Sequence, residues 1–132
     1  MITPWGEIHI ADAHVHFFSH RFLELLSAQG QGLTLETMGA RLEWEMPPPE
    51  PEALADHWAR ELDRHGVASA ALMASLPGDH ESVVAAVRAH PGRFFAYAMV
   101  HPQAWRPETF SAVHVACLFP AMHRYSIQSE EA

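Results

Sequence analysis

The chain contains no lysine. Its eight cationic side chains are all arginine, against 16 aspartates and glutamates, for a formal charge of −8. That balance argues against nucleic acid or an anionic membrane surface as a partner. Cysteine is nearly missing too. The single Cys117 excludes an internal disulfide framework and fits a reducing compartment, most simply the cytoplasm. No apolar run is long enough to cross a bilayer, and no charged segment followed by a hydrophobic one opens the chain as a targeting signal would. Low-complexity tracts and repeats are absent apart from the proline run at 47–51. What remains is 132 residues, 48% hydrophobic, which is one domain with material for a real core (1–132).

Histidine is abundant instead, with 11 residues. At that density chance pairs are common, so spacing has to be judged strictly.

The patterning alternates strand and helix. Residues 7–16 are β-compatible and form the expected first strand. Residues 17–51 are mixed and broken by glycine and proline, so a long loop or insertion is expected there, with a short helix over 22–28. Pro51 and Glu52 open a helix that carries Leu54, Trp58 and Leu62 on one stripe and ends before Gly66. A strand over 67–74 follows, then a helix that Asp79 caps and Pro91-Gly92 ends. Strands over 94–100 and 113–119 complete the pattern. Strands separated by helices imply βαβ units and a parallel sheet.

The most informative residues are Asp12-Ala13-His14-Val15-His16. Strict strand alternation puts Asp12, His14 and His16 on one face, and Ala11, Ala13, Val15 and Phe17 on the other. Two imidazoles two residues apart on one face can share a metal ion. A carboxylate beside them can accept a ring N–H and fix tautomer and orientation. A His-x-His pair alone is expected roughly once by chance in such a chain; an aspartate two residues earlier cuts that to roughly 0.03.

The run Ile10-Ala11-Asp12-Ala13-His14-Val15-His16-Phe17 resembles the opening metal motif of the amidohydrolase superfamily, in its amidohydrolase-related branch. Later landmarks keep that family's order: Gly66-Val67, His90-Pro91-Gly92-Arg93-Phe94, Val100-His101-Pro102 and Val115-Ala116-Cys117-Leu118-Phe119-Pro120. The resemblance implies a (β/α)8 TIM-type barrel of which about the first four β/α units are present. It implies a divalent ion, zinc by preference, with His14 and His16 as ligands and Asp12 supporting them. The implied reaction is hydrolysis of an ester, lactone or amide carbonyl in a small-molecule substrate. The same branch also contains non-oxidative decarboxylases.

The chain departs from the family pattern in two respects. The remaining ligands and the aspartate that serves as general base have no counterpart here, so that base is expected outside this chain. Lacking lysine, the chain cannot bridge two metals with a carboxylated lysine, which favours a mononuclear site. A third ligand or substrate contact is sought among His80, His101 and His123, with Arg124 as a carboxylate partner. Each is weighed against an ordinary exposed residue. Cys117 reads as core rather than nucleophile. The reading from a different class is a truncated or self-associating barrel fragment without activity, its exposed edges joined in a homo-oligomer.

Overall fold

The computed structural model describes residues 2–30, 34–99 and 112–117. A two-stranded antiparallel hairpin, β1 (Ile2–Thr3) and β2 (Gly6–Glu7), opens the chain. It replaces the beginning of the single strand expected over 7–16. The Thr3 hydroxyl donates to the Gly6 carbonyl at 2.8 Å and closes this turn, so the main sheet starts only at β3 (Ile10–His16).

Next come α1 (His20–Gln29), α2 (Leu35–Leu42), α3 (Pro51–Arg64), β4 (Val67–Ala74), α4 (His80–Ala89), β5 (Phe94–Met99) and β6 (Val115–Cys117). The segment 17–51, expected from sequence to be a loop with one short helix, therefore holds two helices. The Ser19 side chain caps α1 by accepting from the backbone N–H of Phe22, and Thr34 and Thr37 form a reciprocal capping box on α2. Thr37 takes the place in that box where glutamate or glutamine usually stands, so the usual sequence signature is missing.

The main sheet has four strands, all parallel, in the order β3-β4-β5-β6. Leu72 pairs with Ala96, and Tyr97 pairs with Val115. One face of the sheet carries Val15, Phe17, Ala70, Leu72, Ala74, Phe94, Ala96 and Ala98 into a core shared with Ala55, Leu62, Val83, Val84 and Ala86 of α3 and α4. Alanines alternate with Leu72 and Phe94 on this face, and the small side chains let the two helices lie close to the strands. Gly66, with φ +67°, ends α3 in the left-handed conformation that an L side chain resists. A smaller cluster, Phe22, Leu23 and Met38, joins α1 to α2. Among the described residues, no helix is long and apolar enough to cross a membrane.

This is a mixed α/β architecture with a four-stranded parallel sheet. Among the described residues the sheet is open, not closed into a barrel.

Candidate metal centre

The strand that carries the candidate ligands is irregular. Its register against β4 slips between Asp12 and Val15: Asp12 stands opposite Ala70, and Val15 already opposite Leu72. Strict alternation is therefore broken. Val15 and Phe17 are buried in the core as expected, whereas Ala11 and Ala13 are exposed.

Asp12 sits at this slip. Its Oδ1 accepts the backbone N–H of His14 at 3.0 Å, so a backbone donor at the irregularity has a side-chain partner. The carboxylate thus grips the main chain under His14. The ring N–H contact anticipated from sequence is not the contact it makes.

His14, within the slip, and His16, past it, flank the buried Val15 and lie on the same side. Their rings meet edge to face, centroids 4.8 Å apart, and the two Nε2 atoms are 3.2 Å apart. Two nitrogens each about 2.0–2.1 Å from a tetrahedral zinc would stand about 3.3 Å apart. The donor set and its spacing fit a divalent cation bound between the Nε2 atoms. Among the described residues, no third histidine, cysteine, aspartate or glutamate joins the pair to make a group of three.

His16 has a second partner that the sequence did not reveal. Its Nδ1 lies 2.7 Å from the hydroxyl of Ser75, which follows the last residue of β4. Serine after a strand is common in any βα turn, and nothing in the linear pattern marks this one.

The His16 imidazole also begins an aromatic stack. Phe18 stacks on it at 5.3 Å, and Trp44 stacks on Phe18 at 5.3 Å. The stack leads into a cleft of ≈ 660 Å³ lined by His16, Phe18, Trp44, Met46, Trp58 and Arg60, among others. Trp44 carries no signal in the linear pattern; here it forms a wall of that cleft. Gly39 supports the same wall, because a Cβ at this position would stand 2.9 Å from the Met46 sulfur.

His80 opens α4 beside Asp79 and has not been brought to the imidazole pair as part of a three-residue group. His101, His123 and Arg124 lie outside the described residues. Asp79 precedes α4, but its side chain makes no capping bond to the helix backbone. It accepts instead from the hydroxyls of Ser19 at 2.7 Å and Ser82 at 2.6 Å. Burial pushes its carboxyl above the ordinary range, against the opposing pull of those hydroxyls and of the charges on Arg21 and His80. Cys117 is only partly buried, where the sequence reading put it in the core, and that burial pushes its thiol up, away from the thiolate a nucleophile needs. Comparison with family models, with curated proteins and with solved structures finds no match to this chain.

Proposed function

We propose that this chain provides the metal-binding portion of an amidohydrolase-type, metal-dependent hydrolase, with His14 and His16 as ligands through Nε2. The observation that carries the reading is the 3.2 Å approach of the two Nε2 atoms at the end of a parallel strand. Strand order supports the barrel implied by the sequence resemblance. Sequential parallel neighbours β3-β4-β5-β6, with α3 and α4 packed on one face, suit the first half of a singly wound (β/α)8 barrel. A doubly wound sheet would reverse direction at a switch point.

A divalent ion in such a site supplies Lewis-acid polarisation of a carbonyl and lowers the pKa of water. The chain's own residues do the rest of what can be assigned. Asp12 holds the backbone beneath His14, and Val15 anchors the strand between the two ligands. The cleft beside His16 has the size of a small-molecule site, and Phe18, Trp44 and Trp58 give it apolar walls. Arg60, which lines the cleft, is available to a substrate anion.

The test is metal binding by the purified chain. Zinc retained after dialysis, and lost in a His14→Ala, His16→Ala double variant, supports the reading. Equal metal content in the two proteins overturns it.

A second reading has its own observation. Two protein ligands are fewer than the three that catalytic zinc generally has, and among the described residues no third joins them. On this reading the chain binds a cation without turning substrate over and associates with itself through its open sheet. Light scattering together with an ester-hydrolysis assay separates the two: an inactive dimer or larger assembly favours the second.

A further inference from the structure

We infer that Ser75 is a positioning residue for His16, holding its imidazole as the Nδ1–H tautomer so that Nε2 presents a lone pair toward His14. The inference rests on the metal-site reading above, and its grounds are hydrogen counts at three named atoms.

Ser75 Oγ has one proton. It lies 2.7 Å from His16 Nδ1 and 3.4 Å from the Met73 carbonyl. That carbonyl also accepts the backbone N–H of Phe17 at 3.1 Å and has a second lone pair to offer. Two arrangements are open. If Ser75 donates to His16 Nδ1, the ring carries its proton on Nε2 and gives it toward His14. The bond to the Met73 carbonyl is then unmade.

If Ser75 donates to the Met73 carbonyl, its oxygen accepts from His16 Nδ1–H. His16 Nε2 is then bare, and His14 Nε2–H, 3.2 Å away, donates to it. This arrangement makes one more hydrogen bond than the other. Its His16 tautomer is also the one that a cation on His16 Nε2 requires, since a neutral ligating imidazole must carry its proton on the other nitrogen. A cation would take the place of the His14 proton, and His14 would then carry its own proton on Nδ1.

The anchoring is built into the fold. Met73 pairs with His16 across the β3–β4 ladder, so the carbonyl that takes the Ser75 proton belongs to the residue beside the ligand. His16 is exposed and would otherwise sample both tautomers. Ligating histidines that lose such a hydrogen-bond partner typically lose about 10- to 100-fold in metal affinity.

The experiment uses the full chain and two readouts. Long-range nitrogen–proton correlation spectra of the metal-free protein report the His16 tautomer, and titration with Co²⁺ reports affinity from its absorption bands. The expected wild-type signature is Nδ1–H. Ser75→Ala mixes the tautomers and weakens Co²⁺ binding about 10- to 100-fold, and Ser75→Thr, which retains the hydroxyl, restores both. An Nε2–H signature in the wild type overturns the inference whatever the variants do, as does unchanged tautomer and affinity in Ser75→Ala. A wild-type chain that shows the Ser75-dependent tautomer yet binds no Co²⁺ sustains the positioning role and defeats the metal-site reading instead.

Discussion

Ser19, at the N-terminus of α1, donates a 2.7 Å hydrogen bond to Asp79, just ahead of α4, and both side chains are buried. The bond ties the turn leaving β3 to the turn leaving β4. Those turns follow His16 on one strand and lead from Ser75 on the next, so the bond braces the geometry of the candidate metal centre from behind.

Removing the Asp79 carboxylate should loosen that brace. Asp79→Ala leaves the Ser19 and Ser82 hydroxyls without their acceptor, at an expected cost of about 1–3 kcal/mol. Asp79→Asn retains an oxygen for both and should cost less. Chemical denaturation at neutral pH measures the two.

The same residue predicts a pH dependence. Its folded pKa is raised above the ordinary 3.8, so the folded chain holds this proton more tightly than the unfolded chain does. Folding gains from protonation in acid and loses that contribution as pH rises through the folded pKa. Wild-type stability should therefore improve relative to Asp79→Asn as pH falls from neutrality toward the carboxylate range. Melting temperatures of the pair across that range check it; a constant difference overturns it.

Asp12 acts on backbone, and that separates two substitutions. Asp12→Asn keeps an oxygen for the His14 N–H and should leave both stability and zinc affinity close to wild type. Asp12→Ala removes the acceptor, with an expected cost of about 0.5–1.5 kcal/mol and weaker zinc binding. Thermal melts and zinc titration of the three proteins decide. Loss of affinity in Asp12→Asn equal to that in Asp12→Ala would show that the negative charge matters, rather than the bond.

Phe18 holds the cleft wall by stacking on both His16 and Trp44. Phe18→Ala should release the segment carrying Trp44, because each aromatic pair is worth about 0.5–1.5 kcal/mol beyond the area it buries. Hydrogen exchange should quicken in the loop at 43–48, with little change in β4. Unaltered exchange in that loop would mean the stack contributes nothing to it.

Much of the scaffold was legible because it depends on neighbours in sequence. The helix opened by Pro51 and the strand over Val67–Ala74 follow directly from a proline at the first helical position, an apolar stripe and a continuous apolar run. The pairing of His14 with His16 needed only the two-residue period of a strand across Val15. By contrast, α2 was hidden because Gly39 within it and Thr37 in its cap do not look helical by propensity. Propensity yields there to packing, since Met38 is buried against Phe22 and Leu23.

The amino-acid order by itself determined an alternating α/β chain, a parallel sheet and two histidines sharing one side of a strand, since each rests on periodicity within a few residues. Only the tertiary structure decided what surrounds those histidines. The register slip turned Asp12 onto the backbone, and strand pairing brought Ser75 to His16 across 59 positions. Helix docking set Asp79 between Ser19 and Ser82. Hydrogen bonds and ring stacking between segments far apart in sequence leave no periodic trace in it, so they become visible only when the strands and helices are packed.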